Sequence, residues 1–550
     1  MTVDIASLVS DNLDIWTTSV ERKSGTGRGG GKRINLYGID SLRALILDLA
    51  VRGKLVSQDS NEEPAADLLK RIRKAKAQRV LSGEIRKPRR LDNDHNLKPP
   101  FSIPDTWQWI RLDEVGAIVG GGTPPAGNAG NFVDGGQGVP WLTPADLGGY
   151  KGRFIFHGER DLTEAGLKAS SATVMPTGSV LFTSRAPIGY VVIAANPIST
   201  NQGFKSIVPY IAECSPFIAT AMKSFAKTIN DNAPGTTFKE VSGKMVAALP
   251  FPLPPIAEQR RIVAKVDELM ALCDALETES ASAITAHQTL VEALLTTLTT
   301  STDVATNWAR LEAHFDTLFT TEASIEALKQ TILELAVRGK LVTPTNATPW
   351  NECKLGTVVS RMDSGWSPAC HPFPVRTAEV WGVLKTTAIQ NLDYQPEQNK
   401  ELPDNLIPRP AAECRVGDIL ITRAGPTNRV GICCYVGATR PRLMISDKIV
   451  RFRAASDQLD GAFLALILSV GPAAAQIERA KSGMAASQVN ISQAKLREVV
   501  VSLPILAEQR RIVAKVSALM ALCDALKARL VDAAQTQCDL ADAITQPVAS

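Results

Sequence analysis

The chain has 550 residues, 45% of them hydrophobic and 21% charged, which is the composition of an ordinary globular protein with room for three or four modules. The formal net charge of +4 neither demands nor excludes a nucleic-acid partner, because local basic surfaces survive inside a balanced total. Cys214, Cys273, Cys353, Cys370, Cys414, Cys433, Cys434, Cys523 and Cys538 form no CxxC pair and have no histidine at finger-like spacing. A zinc site is therefore not expected, and Cys273 and Cys523, set among apolar residues, read as small core side chains. The N-terminus lacks a signal-peptide core and no apolar run reaches ~18 residues, so a soluble, cytoplasmic protein is expected.

In chain order, residues 1–35 read as a flexible basic arm containing "ERKSGTGRGGGKR" (Glu21 to Arg33). Residues 36–98 form an N-terminal helical region with "LRALILDLAVRGKLV" (Leu42 to Val56) and a strongly basic helical stretch from Lys70 to Arg90. Residues 99–252 change character to many Gly and Pro and short β-rich runs. Residues 253–348 return to helix, from "LPPIAEQRRIVAKVDELMALCDALE" (Leu253 to Glu277) to "LKQTILELAVRGKLV" (Leu328 to Val342). Residues 349–502 are β-rich again, and residues 503–550 open with "LPILAEQRRIVAKVSALMALCDALK" (Leu503 to Lys527). Both helical motifs thus occur twice, at an offset of 250 from Ala257 to Ala507 and of 286 from Leu42 to Leu328. Part of the difference is the segment Ala65 to Arg90, which has no counterpart after Val342.

The β-rich segments are diverged copies of one domain type. "GSVLFTSRAPIGYVVIA" from Gly178 and "GDILITRAGPTNRVGICCYV" from Gly417 both read as strand, turn, strand. Aligned at those glycines they place Thr183 and Thr422 alike, followed by Arg185 or Arg423. Each segment also opens alike, with "LDEVGAIVGGGTPP" from Leu112 and "LGTVVSRMDSGWSP" from Leu355.

Ile512, Val516, Leu519, Cys523, Leu526, Leu530, Ala533, Gln537, Leu540 and Ile544 alternate spacings of four and three, a sustained heptad seam. The first copy follows through Ile262, Val266, Leu269, Cys273 and Leu276, weakens at Ser280 and His287, and recovers at Leu294 and Leu298. Helices of ~40 residues would reach about 60 Å. The fold class expected is α+β: two β-rich domains separated by two long antiparallel coiled-coil helical regions. If the first long helix packs on the second AVRGKLV helix, symmetry places the last helix on the first one, giving a pseudo-two-fold, circular arrangement. At each helix start Glu258, Gln259, Arg260 and Arg261 recur as Glu508, Gln509, Arg510 and Arg511. They read either as solvated residues complementing the helix dipole or as a docking patch present twice.

No catalytic engine is visible. GxxxxGK[ST] is absent, and "VSGKM" and "VRGKL" lack the upstream glycine and the hydroxyl that would meet magnesium. "GGGTPP" (Gly120 to Pro125) lacks a strand–GxGxxG–helix context and reads as a turn. No [DN]PP[YF] loop occurs, and five scattered histidines give no nucleophile–base set. The chain is expected to bind and position.

With "LAVRGKLV" twice, "AEQRRIVAKV" at both domain exits and "TNQGFKSIVP" (Thr200 to Pro209) late in the first β-rich segment, the sequence resembles the specificity subunit of type I restriction–modification enzymes over nearly everything beyond about residue 35. That resemblance implies a non-catalytic subunit. Each β-rich segment would be a target recognition domain reading one half of a split DNA site, and the helices would set the gap and dock two modification subunits. Those partners would use S-adenosylmethionine for N6-adenine methylation, and a restriction/translocase subunit would use ATP and magnesium for cleavage. Candidate DNA-binding residues are Thr123, Trp141, Thr143, Arg185, Asn201, Gln202 and Lys205 in the first domain. In the second they are Trp366, Ser367, Lys385, Thr386, Thr387, Arg423, Ser446, Lys448 and Gln488, all near turns or strand ends. Arg185 and Arg423 recur in both domains, which favours a phosphate or structural role over base reading. The stretch Lys70 to Arg90 lies along DNA phosphates or is a solvated face. The competing reading is a coiled-coil adaptor whose β domains bind protein.

Overall fold

The computed structural model describes residues 4–23, 33–85, 99–235, 239–344 and 349–549. The chain forms two compact units, residues 1–282 with 533–550, and residues 283–532. Each contains one β-rich domain, one AVRGKLV helix, the start of one long helix and the end of the other.

In the first unit a five-stranded sheet runs in the order Gly116–Gly120, Lys205–Pro209, Val180–Ser184, Ile188–Ala194, Phe154–Ile155. The second unit repeats the first four positions as Asp363–Ser364, Ile449–Phe452, Ile419–Thr422, Cys433–Tyr435. The central strand is buried on both faces in each. Val180 and Phe182 point into one core with Phe217, while Leu181 points into another with Leu142 and Ile155. Ile419 and Ile421 likewise part from Leu420. This is the period-2 alternation of a strand between two apolar layers. Helix Ser215–Asp231 covers the first sheet; its counterpart is broken at Gly471 (φ +79°) into Gly461–Ser469 and Gly471–Ala480. Each domain closes at its mouth by pairing entry and exit strands, Gln108–Arg111 with Pro250–Leu253 and Asn351–Lys354 with Val500–Leu503.

The long helices are Ile256–Thr300 and Leu506–Ala549. In unit 1 the first begins against the helix Tyr37–Val51, where Arg43 pairs with Asp274 and Glu277, both at 2.6 Å. The end of the last helix joins the same core through Ala541. Tyr37 donates to Asp542 at 2.7 Å, and Ser19 to the Gln537 carbonyl at 2.9 Å. The N-terminal helix and the C-terminal helix therefore meet, as the sequence order implies. In unit 2 the end of the first helix (Val291, Leu295, Leu298) shares a core with Ile325, Leu328 and Ile332 of the helix Glu322–Val337, and with Cys523 of the last helix.

Three expectations change. The N-terminal segment is not a plain arm: Ile5–Asp11 and Leu13–Thr18 are helical, Trp16 is fully buried, and strands Glu21–Lys23 and Arg33–Asn35 pair. Ser24 to Lys32 lies outside the described residues. The heptad seam holds through Ile512, Val516 and Cys523 but then slips by one residue, so that Cys538 and Ala541 are buried while Ala533 and Leu540 face outward. In the first copy Leu298 is buried as expected, while Val291 and Leu295 are buried and Leu294 is only part-buried. A straight helix turns 3.6 residues per turn, so a strict 3.5 repeat drifts ~20° per heptad and hands the seam to the next row. The basic helix Ala65–Leu81 spends much of its charge inside unit 1: Lys76 donates to the Asp113 carbonyl, Arg73 pairs with Glu114, and Arg79 donates to the Pro209 carbonyl. It braces the first domain; Arg86 to Arg90 lies outside the described residues.

Candidate nucleic-acid interface

Two loops meet at the end of the central strands in each domain. In the first, Gly121 presses against the returning loop so closely that a Cβ would sit 2.0 Å from the Asn201 carbonyl oxygen. The Gly122 N–H donates to the Thr200 carbonyl at 2.9 Å. Next in line, the Thr123 hydroxyl donates to Gln202 Oε1, with both side chains exposed. The second domain repeats this. A Cβ on Gly365 would sit 1.7 Å from the Ile445 carbonyl oxygen, and the Trp366 N–H donates to that oxygen at 3.0 Å. The Ser367 hydroxyl then donates to Asp447 Oδ1. Thr123 therefore corresponds to Ser367, each followed by Pro or preceding it by one position, and Gln202 corresponds to Asp447. Asp447 was not among the sequence candidates; the Thr-Pro and Ser-Pro pairs were the signal that could have found it.

The same hydrogen bonds correct the register of the arginines. Ser184 donates to the Gly203 carbonyl (2.7 Å) and accepts from the Val241 N–H (3.0 Å). Arg423 donates to the Lys448 carbonyl and accepts from the Ile491 N–H, both at 2.8 Å. Arg423 thus stands where Ser184 stands, and Arg185 where Ala424 stands. They are not one shared position, because successive strand residues point to opposite faces. Arg185 pairs with Glu240 at 3.5 Å, as does Lys205 at 3.8 Å, and burial pulls the Lys205 ammonium below the ordinary lysine range while Glu240 offsets part of this. Arg423 reaches Ser364 at 3.4 Å, with its Nε buried and unbonded.

Other candidates are placed differently. Trp141 is buried, its indole donating to the Gly122 carbonyl at 3.0 Å under the loop, so it supports the surface and is not part of it. Thr143 closes a capping box with Asp146 (2.7 Å). Asn201 turns its own Oδ1 onto the Gly203 N–H (2.8 Å). Ser446 is buried, so its hydroxyl is no surface group. The Thr386 carbonyl accepts from Arg429 (2.7 Å), Thr387 donates to Gln398 (3.2 Å), and Lys385 is half-buried at the same turn. Trp366 carries the Arg409 guanidinium 4.4 Å over its ring. Gln488 and Lys448 are exposed.

The repeated helix motifs form something the sequence did not announce. Each AVRGKLV helix ends in a Schellman cap. Gly53 and Gly339 take φ of +68° and +67°, and Lys54 and Lys340 donate back to the Leu49 and Leu335 carbonyls at 3.0 and 2.8 Å. The side-chain-free face of Gly339 receives the Trp350 ring edge, and that of Gly53 receives Pro104 and, just beyond it, the Trp107 ring edge; each tryptophan stands one residue before the domain's entry strand. Each indole then donates to the glutamate of the other motif, Trp107 to Glu258 at 2.9 Å and Trp350 to Glu508 at 3.2 Å. Gln259 and Gln509 donate to the Pro254 and Pro504 carbonyls at 3.0 and 2.8 Å. Glu258, Gln259, Glu508 and Gln509 are all buried. They clasp helix to domain and offer nothing to an outside partner. Arg260, Arg510 and Arg511 are exposed; Arg261 is half-exposed and holds Glu62. Burial pushes the thiol of Cys273, further along the first long helix, up to about 11, as an inert core side chain requires. Among the described residues no cluster of His, Cys, Asp and Glu suits a metal, and no single helix is long and apolar enough to cross a membrane.

Duplicated domains of one topology, each entered and left through a duplicated helix clasp, define a two-domain specificity protein, and the family comparison agrees: the type I restriction modification DNA specificity domain matches residues 104–286 and 413–534. The chain belongs to the specificity subunits of type I restriction enzymes, which are non-catalytic. The Escherichia coli type I restriction enzyme EcoEI specificity subunit is 38% identical, covering 98% of this chain and 99% of its own length. The EcoAI specificity subunit, also from Escherichia coli, is 30% identical over 99% of each. The crystal structure of the HsdS subunit from Thermoanaerobacter tengcongensis covers 82% of this chain and 98% of its own at 22% identity, with a TM-score of 0.40.

Proposed function

We propose that this chain gives a type I restriction–modification complex its DNA specificity, each β-rich domain reading one half of a bipartite site. The observation that supports this most is the repetition of one loop architecture with different exposed side chains at matching positions, Thr123–Gln202 against Ser367–Asp447. A common frame with exchanged readers is what two half-sites of different sequence call for. The surrounding Arg185, Lys205, Arg423 and Lys448 would hold phosphates. The complex works in the cytoplasm on double-stranded DNA; S-adenosylmethionine, ATP and magnesium belong to its modification and restriction subunits. The test is to express the chain with its modification subunit and map methylated adenines. A bipartite motif with a fixed gap is expected, and exchange of residues 99–252 should alter one half only. A stable complex that adds no methylation, or an exchange that alters both halves, would refute the reading.

With the Glu–Gln pairs buried, the docking surface for modification subunits falls instead to outward leucines at matching points of the two helices. Unit 1 exposes Leu272 and Leu540, and unit 2 exposes Leu522 and Leu290. Arg260, Arg510 and Arg511 flank the helix starts. Burying two leucines is worth about 3 kcal/mol or more, at least a 100-fold change in affinity. Leu272→Asp with Leu540→Asp should therefore leave a complex with one modification subunit, and all four substitutions none, read by mass photometry. Unchanged stoichiometry in both would exclude these leucines.

A further inference from the structure

We propose that Gln202 and Asp447 are the matched base-reading residues of the two half-sites, Gln202 selecting adenine and Asp447 selecting cytosine. The proposal rests on the functional reading above and goes beyond it to the chemistry of single positions. Both residues occupy the same place in the frame, two residues past the carbonyl (Thr200 or Ile445) that accepts from the facing glycine loop, and both are exposed. Each is oriented by a hydroxyl from the facing loop. Thr123 donates to Gln202 Oε1. Ser367 donates to Asp447 Oδ1 and accepts from the Asp447 N–H at 3.3 Å. The Lys205 ammonium fixes the loop further by donating to the Gln202 carbonyl at 3.2 Å. Side chains restrained in this way lose less freedom on binding than free surface residues do.

The remaining valences differ in kind. Gln202 keeps both amide N–H donors and one Oε1 lone pair, the donor–acceptor pair that matches adenine N7 and N6 in the major groove. Asp447 has only acceptors left, which suits the cytosine N4 amine and is repelled by the O6 and N7 acceptors of guanine. Neighbouring residues do not offer this contrast. Ser446 is buried and Asn201 is used within its own turn.

The test uses the complex of this chain with its modification subunits, first mapping the wild-type methylation motif. Binding is then measured at one salt concentration to duplexes carrying every single base-pair substitution of that motif. Gln202→Ala should reduce discrimination at one A·T pair of one half-site from about 10- to 100-fold to within about 3-fold, and the isosteric Gln202→Glu, now acceptor-only, should shift the preference at that position toward cytosine. Asp447→Asn should change the preferred pair at one G·C position of the other half. All other positions should keep their wild-type profile. Unchanged profiles in these variants, or equal weakening at every position, would overturn the assignment while leaving the bipartite reading intact. A wild-type complex with no motif at all would remove the functional reading and this assignment together.

Discussion

Trp107→Ala should lower the stability of unit 1 by about 3–5 kcal/mol, the usual cost of emptying a buried tryptophan site. Trp107 is almost fully buried, stands edge-on to Phe217, meets the face of Gly53 beside Pro104 and donates to Glu258. Its loss leaves both a cavity and a buried carboxylate with one donor fewer, Gln58 at 2.6 Å. Denaturant unfolding of the full chain should show an early transition, with the unit 2 transition unmoved. A shift under 1 kcal/mol would mean that the clasp is incidental. The glutamate provides a second readout. Burial raises the Glu258 pKa, against the lowering by its Trp107 and Gln58 hydrogen bonds. A carboxyl with a raised folded-state pKa binds protons more readily when folded. Its contribution is full below the ordinary glutamate range and is lost as pH rises through the folded value. Glu258→Gln should therefore flatten the fall in stability just above that range and cost far less than Trp107→Ala at neutral pH.

Arg451→Leu should destabilise unit 2 by about 2–3 kcal/mol, the scale of losing charge-assisted hydrogen bonds. This guanidinium ties together three parts of the second domain. It bonds Asp363 through Nε (3.0 Å) and Nη2 (2.5 Å), and donates to the Glu413 and Ala411 carbonyls at 2.6 and 2.8 Å. It also lies 3.8 Å from Asp418, which is buried and depends otherwise on Arg453 and the Arg415 N–H. Removing it leaves the part-exposed Asp363 unpaired, takes one neighbouring cation from the buried Asp418, which keeps Arg453 and the Arg415 N–H, and leaves two carbonyls without this donor. Arg451→Lys should recover little, because an ammonium cannot bond both Asp363 oxygens in plane. The cleft around it is lined by Arg361, Arg415, Arg451 and Arg453 and equally by Asp363, Glu413 and Asp418, the composition of an internal ion-pair network. Thermal unfolding of the two variants distinguishes the roles: near-wild-type stability would free these arginines for DNA.

The architecture was legible because it is written in repeats. Identical helix motifs at two offsets, with β-rich segments between, fix the alternation of parts and the meeting of the chain's first and last helices. Three features were not legible, each for a physical reason. Arg185 and Arg423 read as one shared residue because each follows the common threonine, yet they lie seven and six residues past Gly178 and Gly417, and the hydrogen bonds to the Gly203 and Lys448 carbonyls place Arg423 where Ser184 stands. Glu258 and Glu508 look like dipole-complementing surface residues, because charged groups are rarely buried without a partner. Their partners, Trp107 and Trp350, lie about 150 residues upstream, each five residues before the leucine that opens its domain. The slip of the heptad seam comes from helix geometry, which no pattern of leucines overrides in a straight helix.

The clasp has a consequence for how new specificities arise. Its glycine and glutamate belong to the duplicated helices, while its tryptophan, joined in the first domain by Pro104, belongs to the variable segment. Each domain is thus a cartridge with a tryptophan plug, and the chain carries two sockets that share the glycine and the glutamate, the first with the added brace of the helix Ala65–Leu81. A recombination event that crosses inside the repeated helices delivers a foreign cartridge already seated. An event that crosses downstream of the tryptophan keeps the old plug on a new body and must also match the entry strand to its exit partner. Exchange of a whole cartridge keeps the indole, the entry strand and the exit strand together, and so preserves every contact of the clasp.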